Sequence, residues 1–411
     1  MMMMASLNSS CFTSLHLNER ERSFGCEGVD RQSMFGVRKL CWWDKLCTEQ
    51  RIPLSKQYAM RGGTGESSYA QNSSFQGMGV EIAEELLKEQ IVEKLDVKQI
   101  CSGSSLSFSI ADFGCAAGPN TFLAVKAIID SLELKLKSEG LQEAEYQVFF
   151  NDTASNDFNT LINSLPLGRQ YYAAAVPGSF HDIVLPKGSI HCGYSSFAAN
   201  WLSKAPKSVS EKGSLAWNEG LIHYPYTAEK RETIQAYSAQ FGEDIESFLQ
   251  ARAHEFVGGG VMALVFTGVP DGAIFSQTTI GREFQLLGFC FSDMAKMGLI
   301  SNEAVDSFNL PLYFPYMKEL EAVIKKNGQF SIEKKEKLSI PTDGVVTEAY
   351  IRGSALRLRS ALEEVITKHF GSEIIDELFS RLDKKVKECA ALFSGPDAIP
   401  TTMLVLILKR N

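Results

Sequence analysis

Runs of apolar residues along the chain predict the strands of a buried sheet. Phe108 and Ile110 alternate with serines and Phe113 extends the apolar character, so residues 107–113 are predicted to form a largely buried strand. An unbroken apolar run predicts a central strand over 261–266. The other predicted strands cover residues 146–150, 171–176, 189–196, 330–332 with 338–340, and 402–408.

Segments with helical spacing separate these strands. Apolar residues recur every three or four positions from 122 to 132, which predicts a helix directly after the first strand. The glycines at 258–260 are expected to end a long amphipathic helix that begins at Thr227. Strands alternating with helices are typical of an α/β domain with a doubly wound sheet. The other predicted helices cover residues 82–95, 157–165, 198–202, 280–328, 352–370 and 374–392.

The first strand leads into a glycine-containing turn that predicts a ligand site. Asp112 ends the apolar run, and Gly114 and Gly118 allow a tight turn with close backbone approach. Ligands of α/β sheets bind at the carboxyl ends of strands, where Asp152 also follows the second strand and could bind ribose hydroxyls. The long spacing from Gly118 to Asp152 and the missing Gly-x-Gly pair favour an adenosine ligand without a pyrophosphate.

Composition and charge exclude several other classes of protein. The 411-residue chain has a net charge of −8, and its body after residue 58 is acidic, which argues against nucleic acid or a membrane as partner. No apolar stretch approaches the roughly 20 residues that span a bilayer. The nine cysteines are scattered, which is typical of neither a disulfide framework nor a zinc site. We therefore expect a reduced, cytoplasmic protein.

Residues 1–58 differ from the rest of the chain. They begin with four methionines and are rich in Ser, Cys and Arg without sustained periodicity. A disordered tail, a transit peptide and an artefact of the predicted start codon are the three alternatives. Transit peptides are poor in acidic residues, so the acidic positions favour a disordered or non-native extension. These positions are Glu19, Glu21, Glu27 and Asp30.

A set of motifs in fixed order resembles the plant SABATH methyltransferases, which transfer a methyl group from S-adenosylmethionine to small carboxylic acids or, in one branch, to xanthine nitrogens. The motifs are Gly65–Ser74, Ala111–Asn120, Asn151-Asp152, Asn156–Asn159, Pro177–Phe180, Trp201–Ser203, Asp306–Pro311 and His369–Gly371. Within the family, Trp217–Gly220 with Ile222–Tyr224 resembles the loganate-type branch. The resemblance implies a class I, Rossmann-like methyltransferase domain over 59–411. It also implies a mostly parallel seven-stranded sheet with an antiparallel last strand, a helical cap mainly over 270–330 and 345–395, and a homodimer.

The same resemblance implies the residues of the site. Gln76 and the indole N–H of Trp201 would hold the acceptor carboxylate. The methyl donor would contact Tyr69, Ser73, Asp112, Gly114, Asn120, Asp152, Thr153, Ser179 and Phe180. The acceptor would contact Arg61, Gln76, His181, Phe197, Asn200, Trp201, Phe284 and Leu358. A possible magnesium ion would lie on Asn218, Asp306, Phe308 and Asn309, although one carboxylate with amide and carbonyl oxygens suits that cation poorly.

No catalytic residue is predicted. A carboxylic acid is already ionised near neutral pH, so its methylation needs no base, and His181 is expected to shape the acceptor pocket or to pack. Methylation of a xanthine-like base is one alternative, although Gln76 and Trp201 suit a carboxylate better. An inactive relative that binds donor or acid as a sensor is the other alternative, for which Asn200 and His181 leave room.

Overall fold

The computed structural model describes residues 58–100, 106–224, 230–339, 348–393 and 399–411. The extension predicted over 1–58 therefore lies, apart from Tyr58, outside the described residues. The start of the helix predicted from Thr227 also lies outside them. The predicted boundary between extension and methyltransferase domain stays a prediction.

Helices and strands alternate along the described residues, in agreement with the apolar pattern. The helices are α1 (Tyr69–Asn72), α2 (Ser74–Glu89), α3 (Val97–Ile100), α4 (Asn120–Ser138), α5 (Phe158–Asn163), α6 (Arg231–Glu255), α7 (Thr279–Lys296), α8 (Asn302–Ser307), α9 (Met317–Asn327), α10 (Glu348–Phe370) and α11 (Ile375–Glu388). The strands are β1 (Ser107–Phe113), β2 (Glu145–Asp152), β3 (Tyr172–Pro177), β4 (Ile190–Ser196), β5 (Phe256–Gly268), β6 (Phe330–Ser339) and β7 (Thr402–Arg410).

Within the described chain, the strands form one seven-stranded sheet in the order β3-β2-β1-β4-β5-β7-β6. Strands β1 to β5 pair in parallel, and β7 runs antiparallel to both β5 and β6. Apolar side chains cover both faces. Along β5, Val261 and Ala263 belong to the core packed against α2 and α4, whereas Met262 and Leu264 belong to the core packed against α6 and α7. The predicted class I methyltransferase fold is confirmed.

The parallel register brings the ends of four strands to one edge of the sheet. Asp112 lies beside Tyr194 of β4, and Phe113 lies beside Asn151 of β2. On the other side of β2, Asp152 lies beside Pro177 of β3. The turns that follow these strands therefore meet at one place, as expected for a ligand site of an α/β sheet.

Strand β5 is longer than the predicted 261–266, and the glycines at 258–260 do not form a break after the helix. They belong to the strand, which begins directly after α6. The register with β4 shifts here, since Ile190 pairs with Phe256 and Cys192 pairs with Val261. Gly259 has a φ of +85°, and a Cβ at Gly260 would lie 2.9 Å from the His191 carbonyl oxygen. Glycine thus permits a bulge that a pattern of apolar residues does not show.

The strand predicted from residues 330–332 and 338–340 is present as β6, which lies at the edge of the sheet and pairs with β7 alone among the described strands. An edge strand tolerates the charged residues at 333–337 that interrupted the apolar pattern. The helix predicted over 280–328 consists of α7, α8 and α9. Among the described residues, no helix has the length and apolar character needed to cross a membrane.

Two glycine substitutions test this packing. Gly242 lies within α6 and a Cβ there has no neighbour within 4 Å, so Gly242→Ala should raise stability by about 0.5–1 kcal/mol through helix propensity. Gly260→Ala should lower it by about 1–3 kcal/mol, because the added Cβ meets backbone oxygens. Thermal or denaturant unfolding of both variants measures the difference. Equal stability of the two would contradict the assigned bulge.

Candidate active site

The turn after β1 is built by a close approach of two backbone segments. Gly114 has a φ of +86°, and a Cβ at this position would lie only 2.1 Å from the Cβ of Ala198. The Gly114 and Cys115 amides both donate to the Asn151 carbonyl, at 2.8 and 3.0 Å. Glycine is required at position 114 because it permits both the dihedral angle and the contact.

Asp152, at the end of β2, faces this turn and is held by backbone donors. Its Oδ2 accepts a 2.7 Å hydrogen bond from the Ala116 amide, and its Oδ1 accepts one of 2.7 Å from the Thr153 amide. Asn156 donates to the Ala116 carbonyl at 3.0 Å and so fixes the same turn. Burial raises the pKa of Asp152 to about 6, against the lowering effect of these hydrogen bonds.

A second carboxylate lies deeper in the sheet edge. Asp112 is buried and accepts a hydrogen bond from the Thr121 hydroxyl. Burial raises the pKa of Asp112 to about 7, with a smaller contribution from the negative charge of Asp152. Burial also raises the pKa of Tyr69, which lines a small pocket together with Asp112. A cationic ligand placed here would favour the ionised carboxylates.

Asn120 connects this turn to the N-terminal helices. Its Nδ2 donates to both the carbonyl oxygen and the hydroxyl of Ser73, at 2.9 and 3.0 Å. Ser73 is buried and lies near Gly118, where a Cβ would be 3.5 Å from its hydroxyl. Asn120, at the start of α4, therefore positions the start of α2 over the glycine turn.

The loop after β3 is held by a buried ion pair that the sequence did not reveal. Arg252 and Glu255 of α6 are both fully buried and join at 2.7 Å. Arg252 donates to the carbonyl oxygens of Phe180 and Asp182, at 2.6 and 3.0 Å. Glu255 accepts from the amides of residues 184 and 185, at 2.6 and 2.9 Å. This pair fixes the backbone that carries Ser179 and Phe180.

Most of the predicted donor and acceptor residues line one cavity at the sheet edge, here called the strand-edge cavity. The predicted residues that line it are Tyr69, Gln76, Gly114, Asp152, Thr153, Ser179, Phe180, His181, Phe197 and Trp201. A small inner pocket adjoins it, and its predicted lining residues are Tyr69, Gln76, Asp112, Gly114 and Asn120. The structure thus brings eight of the nine predicted donor residues together, whereas Ser73 lines neither cavity and accepts a hydrogen bond from Asn120.

A second cavity, here called the cap cavity, lies between the sheet edge and helices α7 and α10. Gln76, Phe197 and Trp201 line both cavities, which places them at the junction. The other predicted acceptor residues that line it are Asn200, Phe284 and Leu358. Most of its remaining wall is apolar, which suits the body of a small organic molecule.

Polar groups at the junction differ in whether their hydrogen bonds are satisfied. The Oε1 atom of Gln76 is buried and has no hydrogen-bond partner among the described residues. Asn200, by contrast, donates to the carbonyls of Thr267 and Tyr313 at 2.9 and 2.7 Å and accepts from the Thr267 amide at 3.0 Å. Gln76 is therefore available to a ligand, whereas the Asn200 amide joins β5 to the segment around Tyr313.

Two further predicted acceptor residues have partners within the protein. The Arg61 guanidinium pairs with Glu363 of α10 and lines neither cavity, so the expected pairing with an acceptor carboxylate is not supported. The His181 Nδ1 lies 3.4 Å from the Asp244 carbonyl oxygen, and burial lowers the pKa of His181. His181 packs against Phe180, with ring centroids 4.6 Å apart, which agrees with a packing role.

The four residues of the possible magnesium site lie close together but form a poor ligand set. Asn218 donates to Asn309 Oδ1 at 2.8 Å, and Asp306 pairs with Lys212 at 3.0 Å. The lone carboxylate is thus already neutralised, and Phe308 could offer only its carbonyl oxygen. Among the described residues, no group of three or more His, Cys, Asp or Glu is arranged to hold a metal ion. The magnesium ion stays a prediction that these contacts do not favour.

Sequence reasoning missed the N-terminal segment and two arginines. Tyr58 and Met60 line the strand-edge cavity, and the Arg61 amide donates to the Ser360 carbonyl at 2.9 Å, which holds this segment on α10. Arg252 could have been found, because it interrupts the apolar stripe of α6 at a position with helical spacing from Phe248. Arg357 lines the cap cavity and had no comparable signal.

Comparison with known proteins agrees with this geometry. The family model described as SAM dependent carboxyl methyltransferase matches residues 55–411. Loganic acid O-methyltransferase of Catharanthus roseus is 42% identical over 86% of this chain and 94% of its own length. The solved structure titled loganic acid methyltransferase with SAH is also 42% identical, covers 86% of this chain and 98% of its own, and has a TM-score of 0.81. Paraxanthine methyltransferase 2 of Arabidopsis thaliana is 37% identical over 87% of this chain and 99% of its own length.

The chain belongs to the S-adenosylmethionine-dependent carboxyl methyltransferase family. It is therefore an S-adenosylmethionine-dependent methyltransferase, and the family predicted from the motifs is confirmed. The glycine turn and the two buried carboxylates fit a ligand that carries an adenosine and positive charge. The individual roles of the lining residues stay predictions.

Donor binding should depend on pH through the buried carboxylates. Since the pKa values of Asp112 and Asp152 are raised to about 7 and 6, both carboxyls gain protons as the pH falls and lose their attraction for the cationic donor. Affinity for S-adenosylmethionine should therefore rise from about pH 5 to about pH 8, as measured by calorimetry. Asp112→Asn should weaken binding at pH 8 by about 10- to 100-fold and remove the part of the profile near pH 7. An unchanged profile in this variant would contradict the assignment.

Removing one partner of the buried ion pair should destabilise the protein. Arg252→Met leaves Glu255 buried without its guanidinium, which should cost about 3–5 kcal/mol in the free energy of unfolding. Arg381→Met on α11 is a matched control, because its pair with Glu377 is partly exposed and should contribute about 0–1 kcal/mol. Denaturant unfolding compares the two variants. Equal losses would show that the Arg252 pair does not hold the loop after β3.

Proposed function

We propose that the protein methylates the carboxylate of a small plant acid to give a methyl ester. The observation that carries this proposal is the position of Gln76 and Trp201 at the junction of the two cavities. One end of the Gln76 amide is buried without a partner, and a 180° rotation of the amide would present its N–H there. An indole N–H is donor-only, so the pair suits an anionic oxygen.

The two cavities divide the site into a donor half and an acceptor half. S-adenosylmethionine supplies a methyl group on a sulfonium: as the carboxylate oxygen bonds to the methyl carbon, the carbon–sulfur bond breaks and its electron pair stays on sulfur. The protein's part is to hold the oxygen in line and roughly 3 Å from the methyl carbon, and to exclude water. Phe197, at the junction, adopts a φ of +59°, and its backbone amide donates to the Val265 carbonyl oxygen at 2.7 Å. This hydrogen bond fixes the wall between the two cavities.

The surroundings of His181 support a reaction without a general base. Burial lowers the pKa of His181, and its ring is packed on Phe180 rather than directed to the cap cavity. An acid acceptor is ionised near neutral pH and brings its own nucleophilic oxygen. Because the chain is similar to a paraxanthine methyltransferase, a xanthine nitrogen is the alternative acceptor that experiments must compare with a carboxylate. The homodimer implied by the family resemblance stays a prediction.

The proposed role of Trp201 can be tested with two tryptophan substitutions. Trp201→Phe keeps an aromatic ring at the junction and removes the N–H, so KM for the acid should rise about 10-fold or more while donor affinity stays unchanged. Trp217→Phe is the control, because Trp217 lines neither cavity and its Nε1 has no described partner. Steady-state kinetics and donor calorimetry measure both. An equal loss of donor affinity in Trp201→Phe would refute this division of the site.

The acceptor class itself can be determined with labelled methyl transfer. The protein should transfer label from S-adenosylmethionine to an acid in a panel of loganate, salicylate, jasmonate, gibberellins, indole acetate and farnesoate, and the product should hydrolyse in alkali as a carboxyl ester does. A base-stable product from a xanthine would overturn the proposal. Donor binding without transfer to any acid would favour a sensor.

A further inference from the structure

Gln76 lines all three of the spaces described above: the strand-edge cavity, the cap cavity and the inner pocket. The sulfonium of the methyl donor likewise carries three groups, which are the adenosyl group, the methyl group and the amino-acid chain. The proposed function, on which this inference rests, directs the methyl group to the cap cavity and the adenosine to Asp152 in the strand-edge cavity. The inner pocket then receives the amino-acid chain.

The amino-acid chain of the donor ends in an ammonium and a carboxylate. Among the described lining residues of the inner pocket, Asp112 is the charged one, and it suits the ammonium. A carboxylate in the same pocket therefore needs neutral hydrogen-bond donors. Two of the polar side chains are already committed, since the Thr121 hydroxyl donates to Asp112 and the Asn120 amide donates to Ser73.

Tyr194 of β4 brings a buried hydroxyl to this pocket. It lies beside Asp112 in the parallel register, so the two side chains leave the sheet on the same face. Tyr194 is 3% exposed, and its hydroxyl has no hydrogen-bond partner among the described residues. The hydroxyl of Ser196, two residues further along the strand and also lining the pocket, is buried in the same condition.

The groups that act on the phenol show where its oxygen lies. Burial raises the pKa of Tyr194, the nearby Ser196 hydroxyl lowers it, and the electrostatic influence of Asp112 and Tyr69 raises it. These three residues all line the inner pocket, so the phenol oxygen lies among them. The approach of Ser196 does not have the geometry of a full hydrogen bond, and two hydroxyls bonded to each other would still keep one O–H for a ligand.

We propose that the Tyr194 hydroxyl donates a hydrogen bond to the carboxylate at the amino-acid end of the methyl donor. Tyr194 is not among the donor contacts predicted from the sequence. Its raised pKa keeps the phenol protonated near neutral pH, so it has a proton to donate. A hydrogen bond to a charged group is among the stronger ones and offsets the cost of burying the hydroxyl.

Two ligands that differ only in this carboxylate test the proposal. S-adenosylhomocysteine carries it, whereas 5′-deoxy-5′-(3-aminopropylthio)adenosine lacks it and keeps the adenosine and the ammonium. In calorimetry, Tyr194→Phe should weaken binding of S-adenosylhomocysteine about 10- to 100-fold and change binding of the decarboxylated ligand by less than about twofold. The ratio of the two dissociation constants is the readout, because a loss of stability would affect both ligands alike.

Tyr146→Phe is the matched control. Tyr146 of β2 is also 3% exposed and its hydroxyl also has no described partner, but it lines none of the three spaces. This variant should leave both dissociation constants unchanged. Each substitution removes a buried hydroxyl without a described partner, so neither should lower the Tm of the ligand-free protein.

Three outcomes would overturn the proposal. They are equal weakening of both ligands by Tyr194→Phe, unchanged binding of S-adenosylhomocysteine in that variant, and equal affinity of the unmodified protein for the two ligands. A lower Tm in Tyr194→Phe alone would also contradict it, because the hydroxyl would then have a partner in the fold. None of these results bears on carboxyl methylation, since neither ligand donates a methyl group, and the labelled-transfer assay decides that function separately.

Discussion

The parallel pairing of β1 with β2 and β4 is the constraint on which the rest of the site depends. Because parallel strands end at the same edge, this pairing brings together the glycine turn, Asp152 and the junction residues after β4. The contact between Gly114 and Ala198 shows how closely these turns approach. A side chain at position 114 would separate the two turns and enlarge or close the donor site.

Hydrogen-bond satisfaction separates groups that build the fold from groups that are open to a ligand. Arg252 and Glu255 are fully buried, and their charges are matched by each other and by the backbone of the loop after β3. Asp112 has a single described side-chain donor, and its pKa is raised to about 7. A cationic ligand would therefore stabilise its ionised form. Gln76 and Asn200 show the same contrast between two neutral amides in one cavity wall.

The two halves of the site have different sources. The strand-edge cavity, which we propose holds the donor, is lined mainly by turns at the ends of the strands, and its geometry follows from strand register. The cap cavity, which we propose holds the acceptor, is lined in part by helices α7 and α10, which lie far along the chain from the turn after β1. Relatives named for an acid and for a xanthine match over nearly the same length of chain. Acceptor choice is therefore expected to depend on the cap helices, where Arg357 and Glu283 lie.

The sequence by itself determined the fold class and the family, and it predicted a donor site at the ends of the strands. Strand β7 was predicted because burial on both faces leaves a long apolar run, and Asp112 and Asp152 were predicted as ligand contacts because ligands bind at strand ends. Only the tertiary structure decided the bulge in β5, the pairing of Arg61 with Glu363 and the place of Arg357. These features depend on contacts between residues distant in the chain, and local hydrophobic patterns do not predict such contacts.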